Sequence, residues 1–375
     1  MSQIPAPKPA AERLVSLDAL RGFDMLWIIG ADAIGDALSH FRGGVPARVI
    51  AGQLDHVPWQ GFHAYDLIFP LFVFMAGVSL PLSLARIEAS GGVDGALRRI
   101  FRRTVVLYVI GILYYGGLST SIHDIRLLGV LQRIALCYGI SGILYLNLGA
   151  RELLVAVGLI LVGYWAALAF IPVPGFGPGD YAEGHNLTNW IDSHYLPFRK
   201  WDGDHDPEGI LSTFPAVATC LLGVLSSLWL AREDQQKVIR AGGLLVAGLL
   251  LVAVGHAWGQ SFPVIKKIWT SSFVLVAGGW SACLLGFFYL VVDVIGFRSW
   301  AMPFVWVGSN SLAIYLISNI VDFGKLSERF AGGDMERALN GLWPGLGGVV
   351  VTAIGIVFCF GLCRLLYNRK LFLRI

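Results

Sequence analysis

Ten apolar stretches dominate this chain, near residues 17–38, 64–86, 103–119, 126–147, 153–171, 210–230, 238–258, 270–295, 303–321 and 345–367. Each approaches the length of about 20 mainly apolar residues that a helix needs to cross a bilayer. Only 14% of the residues are charged and the mean hydropathy is +0.67, whereas soluble globular proteins carry about 25% charged residues. The pattern predicts an all-α fold: a polytopic membrane helix bundle of about ten transmembrane helices, in one domain over residues 1–375. The net charge of +3 is small and implies no nucleic-acid partner. Cys137, Cys220, Cys283, Cys359 and Cys363 all fall inside apolar runs without CxxC spacing. They are expected as buried free thiols rather than a disulfide framework or a zinc site. The leader MSQIPAPKPAAER is polar and proline-rich, with no apolar core, so the first span is expected to serve as its own uncleaved anchor.

Lys and Arg set the orientation. With the N-terminus inside, sixteen fall in inner segments and ten in outer ones, and Arg21 and Arg133 lie within spans. Arg86, Arg98, Arg99, Arg102 and Arg103 crowd the connection after the second span. Both termini are therefore expected to be cytoplasmic. The one long loop, about 172–209, is expected on the far side, and Trp190, Tyr195 and Trp201 argue that it is ordered.

Polar groups enter the membrane at particular places. On the first span Asp18, Arg21, Asp32 and Asp36 fall within roughly 60° of one another at 100° per residue, while Asp24 stands off that face. Such groups usually face protein or water, so they read as a cavity wall, or for Asp18 and Arg21 as a structural pair. The fourth span carries Gln132 and Arg133. Arg133 and Asp32 lie at similar depth, which makes an ion pair between them geometrically possible.

The stretch HVPWQGFHAYDLIFP carries the densest chemistry. Asp66 opens the second span, where free N–H groups and the helix dipole favour a carboxylate. His63 lies one turn earlier. His56 lies upstream, where Pro58 disfavours helix and Trp59 suits the membrane interface. An imidazole there titrates near neutral pH and can act as base or nucleophile. The spacing of Asp55, His56, His63 and Asp66 matches no closed metal site, and no metal is expected.

At these residues the chain resembles bacterial members of the heparan-α-glucosaminide N-acetyltransferase family, within the broader transmembrane acyltransferase superfamily. RLVSLDALRGFDM resembles the family's opening signature, and HVPWQGFHAYDLIFPLFVFMAGVS its His-x-x-Trp-x-Gly segment followed by Asp-Leu and Phe-Pro. LGVLQRIALCY, DPEGILSTFPAVATCLLG and VGSNSLAIYLI follow in the expected order, and LLYNRKLFLRI resembles the basic end. The resemblance implies transfer of acetyl from cytoplasmic acetyl-CoA to a terminal glucosamine amine across the membrane. It matches the family's catalytic histidine to His56. A family asparagine falls on Asp32 here, and Ser318 and Asn319 stand where a histidine often follows the Asn-Ser motif.

On that reading Arg98, Arg99, Arg102 and Arg103 suit the phosphates of CoA. The alternative is ordinary positive-inside bias. Asp32, Gln132, Arg133 and Asn310 are candidates for the polar wall around the thioester. Trp59, His63, Asn186, Asp192, Asp206 and Glu208 are candidates for holding the sugar. Asp55 or Asp66 orients the imidazole, which serves either as a base in a ternary complex or as an acetyl carrier. Expected partners are acetyl-CoA, an amino sugar and the lipid bilayer, with a bacterial cytoplasmic membrane as the location and a homo-oligomer left open. The rival readings are an amino-sugar or oligosaccharide transporter, which broken helices and inverted repeats would favour, and a non-catalytic scaffold.

Overall fold

A computed structural model describes residues 14–40, 44–117, 119 and 121–373, apart from the side chains at 32, 33, 40, 86, 88–90 and 319. The described residues hold no β-strand, only two isolated bridges. In chain order the helices are α1 (Val15–His40), α2 (Gly44–Gln53), α3 (Ile68–Tyr114), α4 (Val130–Asn147), α5 (Ala150–Phe170), α6 (Leu187–Tyr195) and α7 (Thr213–Leu230). They continue with α8 (Lys237–Trp258), α9 (Ser271–Phe288), α10 (Met302–Gly308), α11 (Ser311–Ile320), α12 (Phe323–Ala331), α13 (Asp334–Leu342) and α14 (Leu346–Asn368).

All ten apolar stretches are helical, but they do not all qualify as spans. Among the described residues six helices are long and apolar enough to cross a membrane, or seven if α10 and α11, bent by 64° at Ser309–Asn310, form one broken span. The other three expected stretches are interrupted by polar groups. α1 holds Asp18, Arg21, Asp24, Asp32 and Asp36, the second half of α3 begins with the Arg98–Arg103 cluster, and α4 holds Gln132 and Arg133. The second and third stretches form one element, α3, broken at Gly92, whose φ of 63° and ψ of −166° are non-helical. A positive φ there is tolerable because glycine has no Cβ.

Burial separates the helices into two classes. The apolar windows of α3, α7 and α9 are 67–78% buried, and those of α5, α8 and α14 only 22–28%. The outer helices expose Leu154, Val155, Leu159, Val246, Leu249 and Leu250. Apolar faces of that extent are stable against lipid, not against water. Glycine pairs let the inner helices touch backbone to backbone. A Cβ on Gly77 of α3 would overlap the Cys220 carbonyl of α7, one on Gly223 would overlap the Phe74 carbonyl, and Gly22 and Gly308 do the same for α1 and α10. Small residues at helix contacts are how bundles in lipid gain packing, since burying apolar surface there provides no driving force. The five cysteines are buried free thiols.

Candidate active site

His56 stands just before α3, and its position is fixed by a carboxylate one short turn away. Residues Ala64–Leu67 form a 3-10 turn that leads into the helix. Asp66, the third residue of that turn, is 1% exposed and uses both oxygens. Its Oδ2 accepts the backbone N–H of His63 at 3.0 Å and of Val57 at 3.4 Å, while Oδ1 lies 2.8 Å from His56 Nδ1. The helix-start role and the orienting role are thus both filled by one side chain. A carboxylate accepts only, so Nδ1 carries the proton and the lone pair sits on Nε2. The ring is half exposed and stacks on Tyr65 at 4.4 Å. Asp55 is spent locally, its Oδ1 accepting the His56 backbone N–H at 2.8 Å. His63 turns its Nδ1 to the Asp55 carbonyl at 3.0 Å.

Lys266, in the connection before α9, completes the group. Its ammonium lies 3.0 Å from His56 Nδ1, 3.3 Å from Nε2 and 3.3 Å from Asp66 Oδ1. Nothing in the sequence marks it: it lies 210 residues from His56 and carries no motif. A two-residue backbone bridge places it, with Gly61 N–H donating to the Val264 carbonyl at 2.9 Å. Trp59 is tied to the long loop by its indole N–H, which donates to the Tyr181 carbonyl at 3.0 Å.

A cavity of about 520 Å³ lies between α1, α3, α4, the α10–α11 break and the tail. Phe72, Met75, Ala76, Ser79, Leu82 and Ser83 present one face of α3 to it, at helical spacing. Arg99 and Arg103 line it together with Asp18 and Arg21, whereas Arg98 and Arg102 are exposed and point elsewhere. Arg103 lies 4.6 Å over the Tyr138 ring. Arg21 pairs with Asp18 at 3.3 Å and also donates to Ser79 Oγ, so the local pair and the cavity wall coexist. Phe72 is the nearest lining residue of α3 to Asp66, and His56 does not line the cavity.

The remaining described candidates are held by partners of their own. Arg133 is fully buried and donates to the Gly209 carbonyl at 3.3 Å and to Ser212 Oγ, with its guanidinium 5.0 Å from the Trp269 ring. The expected pair with Asp32 lies outside the described residues, because the Asp32 side chain is not among them. Gln132 donates to the Arg126 carbonyl at 3.1 Å. Asn310 holds the tail, donating to the Leu371 carbonyl at 2.9 Å and accepting from Leu373 N–H at 3.1 Å. Asn186 is buried and caps α6, accepting from Asn189 N–H at 2.9 Å.

Asp206 and Glu208 close on Arg126. Its guanidinium makes a two-pronged pair with Asp206 at 2.9 and 2.7 Å, also donates to Glu208, and stacks between Tyr115 and Trp201. All three are buried. Burial also pushes the Glu208 carboxyl up and that of Asp192 to about 6, although the latter accepts Ile210 N–H at 2.8 Å.

Comparison with known proteins identifies the family. The sequence model of the family described as heparan-alpha-glucosaminide N-acetyltransferase, catalytic, matches residues 13–258. The heparan-alpha-glucosaminide N-acetyltransferase of Homo sapiens is 26% identical over 97% of this chain and 60% of its own length, and that of Mus musculus is 25% identical over 98% and 61%. The chain thus spans about three fifths of the relatives it matches. The matched region carries the Asp66-held His56, the cavity face of α3 and the Arg99–Arg103 pair, and with them the chain belongs to the heparan-alpha-glucosaminide N-acetyltransferase catalytic family.

Proposed function

We propose that this chain is a membrane-embedded acetyltransferase that moves acetyl from cytoplasmic acetyl-CoA to the amine of a terminal glucosamine or related amino sugar on the far side of the bilayer. The observation that carries the reading is His56 fixed by buried Asp66 at 2.8 Å through Nδ1, which leaves the lone pair on Nε2, with the Lys266 ammonium beside the pair. An amine acceptor arrives as an ammonium, whose lone pair is occupied, so it attacks only after a base takes a proton. The contact of the Lys266 ammonium with this imidazole and carboxylate supports the reading, since an acceptor's ammonium has the same chemistry.

The donor fits the cavity by charge and shape. Arg99, Arg103 and Arg21 gather cationic donors of the kind that pair with phosphate. The apolar strip of Leu107, Ile134, Met75 and Phe72 suits a slender aliphatic arm. On this reading both termini and the arginine end are cytoplasmic, His56 and residues 172–209 face the opposite compartment, and α1, α4 and both halves of α3 also cross, giving ten spans in one domain of a bacterial cytoplasmic membrane. Asp66 holds the ring, Nε2 takes the acceptor's proton, and Trp59 and His63 border the place of the sugar. Direct transfer and relay of acetyl on the imidazole use the same lone pair. Exchange of label between acetyl-CoA and CoA without acceptor occurs only in the relay.

The 64° break between α10 and α11 favours the rival transporter reading, since broken helices line substrate sites in transporters. Radiolabelled acetyl-CoA and glucosamine, with the chain in liposomes, separate the two. The proposal expects N-acetylglucosamine to form and His56→Ala to abolish it. Sugar uptake that consumes no acetyl-CoA would replace it with the transporter.

A further inference from the structure

We propose that Glu183, Asp202 and His205 form a binding site for one divalent transition-metal ion of the zinc class, which fastens the 172–209 loop beside the His56 segment. The site stands apart from acetyl transfer and from the residues assigned to it above.

Glu183 precedes α6, and Asp202 and His205 follow it, so the three close the loop on itself. Their ligand atoms all lie within 4.8 Å of one another, with His205 Nε2 3.7 Å from Glu183 Oε1 and 3.8 Å from Asp202 Oδ2. Those separations are too long for hydrogen bonds. They are close to what a shared ion requires: ligands about 2.0–2.2 Å from a tetrahedral zinc stand roughly 3.4 Å apart. Glu183 is half-exposed and can supply the remaining few tenths of an ångström.

The histidine points to a ligand independently of the acids. His205 is 4% exposed, and its Nε2 has no hydrogen-bond partner among the described residues. Its Nδ1 is 2.6 Å from Asp204 Oδ1. That carboxylate fixes the tautomer and aims a lone pair at two acidic oxygens, the arrangement in which an outer carboxylate orients a metal-binding imidazole. A buried lone pair facing two carboxylates is costly unless a cation joins them.

Positive charge is already drawn to the place. The Lys267 ammonium lies 2.8 Å from Glu183 Oε1 and 3.1 Å from Asp202 Oδ2, yet it leaves His205 Nε2 unsatisfied. One ammonium also faces two carboxylates, those of Glu183 and Asp202. A divalent ion satisfies all three ligands and displaces Lys267, whose ammonium lies 5.9 Å from the centre of the Trp59 ring. Lys266 is the next residue in the chain, so the site borders the His56 segment. One imidazole and two carboxylates suit zinc or manganese and leave an open coordination position.

The test uses the full-length chain in detergent, stripped with chelator and then titrated with Zn²⁺ alone. One equivalent is expected to remain bound after gel filtration and to raise the melting temperature. Co²⁺ is expected to give the absorption of a nitrogen- and oxygen-ligated four-coordinate site. His205→Ala is expected to abolish both. Asp204→Asn is expected to weaken binding about 10–100-fold, and Lys267→Met, which removes the competing ammonium, to tighten it. These opposite shifts decide the matter even where His205→Ala fails to fold. If neither the native chain nor Lys267→Met retains zinc, or if binding ignores Asp204→Asn and Lys267→Met, Lys267 is the only cation of the cluster and the proposal is wrong.

Discussion

Asp66→Asn tests the catalytic reading most sharply, because the structure dictates which way the new amide must face. Oδ2 of Asp66 accepts two backbone N–H groups, from His63 and Val57. The amide oxygen must stay there, since an NH₂ group facing two donors would leave three groups unsatisfied. The amide NH₂ is therefore aimed at His56 Nδ1, which must become an acceptor. The proton moves to Nε2, and the lone pair that takes the acceptor's proton is lost. Loss of the charge-assisted hydrogen bond alone is worth about 1.5–3 kcal/mol, or roughly 10- to 150-fold, and an imidazole locked in the wrong tautomer costs up to about 10⁴-fold. The expected result is a fall in kcat of about 10²- to 10⁴-fold in the radiolabelled acetyl-transfer assay. The KM for acetyl-CoA should be unchanged, because the cavity arginines lie elsewhere. The melting temperature should hold, because both backbone donors keep their acceptor. A kcat within about threefold of the native value would refute the claim that Asp66 sets the tautomer.

Other perturbations probe the parts separately. Arg99→Ala with Arg103→Ala is expected to raise the KM for acetyl-CoA about tenfold or more per lost charge-assisted contact, while Arg98→Ala with Arg102→Ala leaves it unchanged; equal effects would mean that the cavity does not take the donor. Arg126→Met strips the cation from buried Asp206 and Glu208 and is expected to cost about 3–5 kcal/mol, read as a lower melting temperature; an unchanged melt would deny the network its structural role. Asp192 titrates near 6 through burial, above its ordinary value of 3.8, so the folded state holds the proton more tightly than the unfolded chain. Stability then falls as pH rises from about 4 to 6, by about 3 kcal/mol in all, and Asp192→Asn is expected to flatten that part of the melting profile; parallel profiles would count against the raised value.

What the sequence could reveal follows from the range of each interaction. His56 and Asp66 were legible because they are ten residues apart and their chemistry shows locally. Even so, two readings of Asp66 competed until the geometry showed one oxygen for each. Lys266 left no trace, because a contact across 210 residues has no periodicity to betray it. Asp206 and Glu208 read as sugar ligands because loop acids usually face water. Their true partner, Arg126, lies about 80 residues away. The cap at Asn186 was readable, since an asparagine just before a helix is a common start signal, but a polar loop invites a ligand reading. The arginine cluster was legible as charge but not as direction. Arg98 and Arg102 share one helical face, Arg99 and Arg103 the next, and only the packed neighbours decide which is inside. The same ambiguity affects the span count, because charge on a helix tells a protein-facing side from a lipid-facing one only when the neighbouring helices are known.

The arrangement of α3 links the two ends of the proposed reaction. Asp66 sits where the chain enters the helix, and Ser79, beside Arg21, lies 13 residues further on, about 20 Å at 1.5 Å per residue. Past Gly92 the chain returns Arg99 and Arg103 to the same cavity. A donor whose phosphates meet those arginines must therefore send its thioester along the Ser79–Phe72 face, and the cavity ends about 9 Å short of Asp66, at Phe72. Between Phe72 and the imidazole lies a cluster of Ala31, Leu54, Tyr65 and Ile68. Tyr65 belongs to this seal and also stacks on His56. In the proposed reaction the layer between thioester and imidazole is thus in contact with the imidazole itself. For acetyl transfer to occur this layer must part, and since it is made of side chains between helices locked by glycine contacts, rotation of Phe72 and Tyr65 is a smaller change than displacement of α1 or α3.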